Sequence, residues 1–377
     1  MSDTPFDPCE HAPAHIRSIA PYQPGKPITE LARELGLEPD SIVKLASNEN
    51  PLGMSPHVLA AIQMALPELH RYPDNFALTK RIATRLDRPM ESIVLGNGSN
   101  DVLEMVAAVF LGPGRSSVFS QHAFAVYPLA TQARGARSIV VPADGYAHDL
   151  NAMLHAIADD TRVIFIANPN NPTGTMLSPD ELQHFLSKVP PHVIVVLDEA
   201  YNEYLPDAAN YDSRRWLDDH PNLVITRTFS KAYGLAGLRV GYGLCDPRVA
   251  DLLNRVRQPF NVNNLALVAA EAALEDQEFV RESHLLNRAG MKQLEHGFEA
   301  LDLRWIPSYG NFVSVEVPRA DGVSQGGAVY QKLLRAGVIV RPVAGYGMPD
   351  HLRVTVGLAE ENRRFLEALA VALGREL

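Results

Sequence analysis

The sequence predicts an α/β fold: a larger domain with a mostly parallel sheet covered by helices, plus a smaller α+β domain. Three observations lead there. Short apolar runs lack the polar alternation of half-exposed strands, which marks strands buried on both faces. Helical stretches separate most of them, the order that winds a parallel sheet. From about residue 262 long helical periodicity precedes shorter strands. At 377 residues the chain is also long for a single core.

The elements follow in order. Residues 1–27 are proline-rich and read as an extended arm. Residues 28–35, ITELAREL, read as a short amphipathic helix stopped by Gly36. The stretch SNENPLG at 47–53 is a loop. Buried strands are predicted at 92–95, 117–119, 138–141, 162–167, 193–197 and 223–226. Helices are predicted at 101–110 and 178–186; the second opens on Ser-Pro-Asp-Glu, a capping-box pattern with proline in the first turn. Beyond them lie helices at 264–280 and 285–301, then strands at 311–317 and 351–356. The expected division is 1–45 for the arm and part of the smaller domain, 46–261 for the larger domain, and 262–377 for the smaller one. No internal repeat or low-complexity tract is visible.

Composition narrows the function classes. Net charge is −10, from 34 basic and 44 acidic residues, which argues against a nucleic-acid partner. The two cysteines, Cys9 and Cys245, give no disulfide framework and suit a reducing compartment. The N-terminus carries acidic residues and prolines rather than an apolar leader, and no run reaches the ~20 apolar residues of a spanning helix. No membrane partner and a cytoplasmic location are therefore expected. Cys9, Glu10, His11 and His15 are spaced closely enough for a metal, but no second cluster accompanies them, and no metal site is expected. Neither a G-x-S-x-G elbow nor an H-E-x-x-H motif is present.

Ligands of open α/β sheets bind past the carboxyl ends of the strands. Five predicted strand ends here carry polar or aromatic punctuation: GNGSND at 96–101, HAF at 122–124, NPNNPTG at 168–174, DEAY at 198–201 and SK at 230–231. The first opens a helix, so its backbone N–H groups and dipole suit a phosphate. It lacks the third glycine of the dinucleotide fingerprint and is not a Walker loop. Singly, each residue has an ordinary reading. Ser99 or Asn100 can cap a helix, and Asp198 can cap or pair. Lys231 and Arg239 can be surface charges. Phe124 and Tyr201 can be core, and Asn171 a turn residue. Their shared place at strand ends argues for one crevice. Pyridoxal phosphate needs such a set: a lysine for a Schiff base, a carboxylate for the pyridine nitrogen, a stacking ring, a donor to the phenolic oxygen and an anion site. For Lys231 to act as general base its pKa must fall, and a desolvated crevice with a cation such as Arg239 lowers it.

At these residues the chain resembles the fold-type I pyridoxal-phosphate aminotransferases of classes I and II. SKAYGLAGLR at 230–239 resembles the class II attachment signature, with NPNNPTG and DEAY in the expected order. Within that group it most resembles the histidinol-phosphate aminotransferases. The resemblance rests on PYQPGK at 21–26, SNENPLG at 47–53, RYP at 71–73, GNGSND at 96–101, YGNF at 309–312, VRP at 340–342 and HLRVTVG at 351–357. It implies a homodimer with pyridoxal 5'-phosphate near the interface. Lys231 is then the Schiff-base lysine, Asp198 lies at the pyridine nitrogen, and Tyr201 and Asn171 lie at the phenolic oxygen. Phe124 stacks on the ring where many relatives have tyrosine. Gly98, Ser99, Asn100, Ser230 and Arg239 hold the phosphate, with Tyr72 reaching over from the other subunit.

The resemblance also implies the substrates histidinol phosphate and glutamate or 2-oxoglutarate. Arg353, Arg341 and Tyr22 would bind the substrate phosphate, and the same arginines a glutamate carboxylate; the other reading of Arg341 is a surface ion pair. Three other readings stay open on sequence: an aromatic amino-acid aminotransferase, a phosphothreonine decarboxylase of the same fold, and a non-catalytic ligand-sensing regulator. The regulator normally carries a DNA-binding domain, and here lysine, aspartate and tyrosine are all present.

Overall fold

The structure, a computed structural model, describes residues 7–376. Its centre is a seven-stranded sheet: β1 Ile93–Gly96, β2 Ser116–Ser120, β3 Arg137–Val141, β4 Thr161–Ala167, β5 Ile194–Asp198, β6 Leu223–Thr228 and β7 Gly241–Cys245. The order across it is β1-β7-β6-β5-β4-β2-β3. All pairs are parallel except the two made by β7. Alternate residues feed two apolar layers. Ile93, Leu95, Ile164, Val195 and Ile225 face one cluster, while Val94, Val163, Phe165, Val196 and Val224 face the other. At about 1.5–3 kcal/mol for each such side chain buried, covering both faces is what holds the sheet.

The strand at β7 was not among the predicted ones. Its sequence, GYGLC, carries two glycines, which are poor strand formers. The packing accounts for the first of them: a Cβ on Gly241 would lie 2.5 Å from the Ser99 nitrogen and 2.8 Å from the Arg227 oxygen. Because β7 runs against its neighbours, it begins at the edge where they end. Register fixes that edge: Ala167 sits opposite Asp198, Asp198 opposite Thr226, Thr228 opposite Gly241, and Gly241 opposite Gly96.

Three further expectations are corrected. The strand at 138–141 forms but is not buried: it is the edge of the sheet, and of Arg137–Val141 only Val141 is buried. The arm is not extended throughout: Pro8–His11 and Ala14–Arg17 are short helices, and residues 1–6 lie outside the described residues. The later helices do not break near 281–284. One ends at Glu275, and Asp276 caps the next, Gln277–Ala300, by accepting from the Phe279 N–H. The helix at Pro179–Leu186 does carry the capping box between Ser178 and Glu181, and Ile28–Leu35 ends at Gly36.

A second sheet of four antiparallel strands runs in the order Arg341–Pro342, His351–Thr355, Phe312–Glu316, Trp305–Ile306. Its core takes in Leu294, Phe298, Val313, Val354 and Phe365, with Val43 and Leu45 from near the N-terminus. Val43–Lys44 pairs in parallel with Val338–Ile339. The helix Asn264–Glu275 packs instead with the first core, through Ala266, Leu267 and Ala270. Among the described residues no helix is long and apolar enough to cross a membrane.

Candidate active site

The converging strand ends open on a cavity of about 190 Å³. Ser99, Asn100, Phe124, Asn171, Asp198, Tyr201, Ser230, Lys231 and Arg239 all line it, as do Tyr22, Arg341 and Arg353. Gly98 does not reach the wall, and its role is spatial. It has φ of 83°, and a Cβ there would lie 2.3 Å from Arg239 Nη2, so only glycine lets the guanidinium lie against this turn. Gly98 is also the N-cap of the helix Ser99–Phe110 and has no side chain to bond its first turn. Neither Ser99 nor Asn100 caps the helix, and the open N–H groups face a site with Arg239 beside them. Arg239 donates to Ser230 Oγ at 3.2 Å and to the Ala236 oxygen at 3.1 Å.

Lys231 follows β6, and its Nζ donates to the Ser47 carbonyl at 3.1 Å. Among the described residues it makes no ion pair. Burial is the main reason its pKa falls to about 7; Arg353 adds to this ahead of Arg239, and Glu49 opposes it. The cation that sequence singled out, Arg239, is thus the lesser of the two. Asp198 ends β5, buried, with its pKa pushed up to about 6 by burial and held back by hydrogen bonds from Thr226 and Tyr127. Those donors are the Thr226 hydroxyl at 2.9 Å and the Tyr127 hydroxyl at 3.0 Å. Both are neutral, and among the described residues this buried carboxylate makes no ion pair, so it fits a positively charged N–H presented from the cavity.

Two donors are set by their neighbours. Arg353 donates to Asn171 Oδ1 at 2.6 Å, which leaves the Asn171 amide NH₂ for the cavity. Asn48 donates to the Tyr201 hydroxyl oxygen at 3.0 Å, which leaves that hydroxyl's own hydrogen free to point elsewhere. Burial pushes the Tyr201 pKa up to about 12, so it remains a donor. Arg353 is itself buried, with a second bond to the Ala46 oxygen at 2.7 Å and its guanidinium 5.3 Å from the Phe312 ring centre. Among the described residues Arg341 makes no ion pair: it lies 5.6 Å over the Tyr22 ring and donates to the Gln23 oxygen. Anion site, unpaired lysine, uncompensated carboxylate, aromatic wall and two fixed donors together fit pyridoxal phosphate.

Comparison with known proteins agrees with this chemistry. Residues 40–369 match the family model of aminotransferases class I and II. The chain belongs to that family of aminotransferases. A histidinol-phosphate aminotransferase 2 of Nitrosospira multiformis is 60% identical over 97% of this chain and 92% of its own length. One of Pseudomonas fluorescens is 61% identical over 96% of both. Among solved structures, histidinol-phosphate aminotransferase from Sinorhizobium meliloti, in complex with pyridoxal-5'-phosphate, superposes with a TM-score of 0.88 at 27% identity. That match covers 99% of this chain and 98% of the other.

Within this aminotransferase fold, sequence reasoning missed four residues. Asn48, at φ 54°, ties Tyr201 to Thr355, whose hydroxyl accepts from the Asn48 N–H at 2.9 Å. It stood unmarked inside SNENPLG. Thr228 lines the cavity, and Thr226 and Tyr127 hold Asp198. A hydroxyl inside an apolar strand was the one available signal for Thr226, since a buried polar group needs a partner. Tyr72 is not brought to the cavity by its own chain; it is 79% exposed and stacks on Phe260 with ring centres 4.4 Å apart. Among the described residues no three His, Cys, Asp or Glu side chains are grouped to hold a metal.

Proposed function

We propose that this protein moves the amino group between L-histidinol phosphate and 2-oxoglutarate, giving imidazole acetol phosphate and L-glutamate in histidine biosynthesis. Its cofactor is pyridoxal 5'-phosphate. The observation that carries the reading is one cavity holding a lysine with a lowered pKa, a buried carboxylate bonded to neutral donors, and three arginines, Arg239, Arg341 and Arg353. The names of relatives about 60% identical over nearly the whole chain support the substrate.

When bound, pyridoxal phosphate supplies an electron sink for negative charge at the substrate Cα. The protein's residues do the rest. Ser99, Asn100, Ser230 and Arg239 hold the cofactor phosphate, with Gly98 making room. Phe124 would stack on the ring, Asn171 and Tyr201 would donate to its phenolic oxygen, and Asp198 would keep its nitrogen protonated. Lys231 would hold the cofactor and, with its amine free, would take the proton from the substrate Cα, which its lowered pKa favours at neutral pH. Tyr22, Arg341 and Arg353 bind the substrate phosphate in one half-reaction and a glutamate carboxylate in the other. Two arginines suit a dianion, each charge-assisted bond adding roughly 1.5–3 kcal/mol.

The working protein in this reading is a cytoplasmic homodimer, with Tyr72 of each subunit reaching the other's cofactor phosphate. Exposed Leu66, Leu69, Tyr72 and Phe76 support it, since apolar side chains so close in sequence favour a covering partner. The larger domain is residues 46–261 with the helix Asn264–Glu275 riding on it; residues 1–45 and the remainder of 262–377 form the arm and the smaller domain.

Glutamate formation from 2-oxoglutarate with histidinol phosphate, and separately with phenylalanine, tests the reading. A higher kcat/KM for histidinol phosphate is expected. Equal values would make the protein a broad aromatic aminotransferase; no glutamate from either amine, with carbon dioxide released from added phosphothreonine, would overturn transamination.

A further inference from the structure

Resting on the cofactor reading above, we infer that Tyr127 and Thr226 are positioning residues that keep the Asp198 carboxylate ionised and aimed at the ring nitrogen of the bound cofactor. The two carboxylate oxygens are divided between them. Oδ2 accepts from the Tyr127 hydroxyl at 3.0 Å and Oδ1 from the Thr226 hydroxyl at 2.9 Å. These two bonds, with a lesser one from the Ala200 backbone N–H, fix the carboxylate and leave it acceptor capacity for an N–H in the cavity that Asp198 lines. A buried carboxylate is costly, and donors to its charged form offset that cost more than ordinary hydrogen bonds do.

Both donors are rigid. Tyr127 is fully buried in the helix Val126–Ala133, stacked on Phe165 with ring centres 4.8 Å apart and planes within 7°. Its edge also meets Phe124, 5.8 Å away at 85°. One side chain therefore touches both the aromatic wall and the carboxylate. Burial and the Asp198 charge hold the Tyr127 phenol well above its ordinary pKa, so it donates and does not ionise. Thr226 is buried in β6 directly opposite Asp198. Valine would fill that strand position equally well by shape, so the hydroxyl is what the site uses.

The consequence concerns one proton. With both donors present it rests on the ring nitrogen, opposite a carboxylate anion. Removing a donor destabilises the anion, and the proton moves from nitrogen to Asp198 with no net gain or loss. The test uses wild type, Tyr127→Phe, Thr226→Val and Thr226→Ser, each loaded with pyridoxal phosphate labelled with ¹⁵N in the ring. The ring signal is followed by NMR across pH. Wild type is expected to show the protonated ring. Tyr127→Phe and Thr226→Val should show about tenfold more unprotonated ring at a given pH, and Thr226→Ser should restore the wild-type signal. Wild-type ring signals in both variants, even with lowered activity, would overturn the inference and leave the hydroxyls a packing role. If Tyr127→Phe does not fold, the valine and serine pair decides alone. A wild type that takes up no labelled cofactor would overturn the cofactor reading and this inference with it.

Discussion

Lys231 shows how a residue ordinary by type is made reactive by place. Sequence put it at a strand end; the structure adds that burial and Arg353 bring its pKa to about 7. Only the neutral amine attacks an aldehyde, so pyridoxal phosphate uptake by the cofactor-free protein should quicken as pH rises through about 7 and then level. An uptake rate still climbing towards the ordinary lysine value near 10 would show that the amine is not perturbed. Arg341 makes a second prediction at this scale. Arg341→Ala should raise KM for histidinol phosphate by about tenfold or more while changing phenylalanine turnover less. Equal losses on both substrates would remove its phosphate-specific role. Of the residues that escaped sequence reading, Asn48 stood unmarked inside SNENPLG, and Thr228, Thr226 and Tyr127 belong to no motif that was weighed. Three act through Tyr201 or Asp198 across gaps of 28 to 153 positions, which no local pattern reports.

At the scale of elements, the inner strands were legible because strands covered on both faces are mostly apolar, whereas Arg137–Val141 reads as apolar but lies at the sheet edge with only Val141 buried. β7 was not legible, because its first glycine serves a close approach to the Ser99 turn and not a strand preference. The break at Asp276 was also hidden, since apolar periodicity continues across it and only the cap marks the boundary. The turn before Ser99–Phe110 carries the prediction here. Gly98→Ala should displace Arg239 and weaken cofactor binding by about ten- to hundredfold, with the fold intact by circular dichroism. An unchanged cofactor affinity, measured by absorbance titration, would mean that Arg239 does not depend on that turn.

For the whole molecule, the sheet edge gathers residues from 99 to 239 while Arg341 and Arg353 arrive from the second sheet. Neither part alone holds a complete site. If Tyr72 completes the partner's site, Lys231→Ala and Tyr72→Ala subunits, each impaired alone, should regain activity when mixed, because one site of the hybrid is intact. No recovery on mixing would contradict the shared site. The central claim is that Lys231, Asp198 and the two arginines serve amino transfer from a phosphorylated amine. Single-turnover absorption tests it most directly: the loaded protein is mixed with histidinol phosphate, and separately with phenylalanine, and the pyridoxal band is followed. The account predicts rapid bleaching to the pyridoxamine form with histidinol phosphate and much slower bleaching with phenylalanine; a band that persists with histidinol phosphate would contradict it.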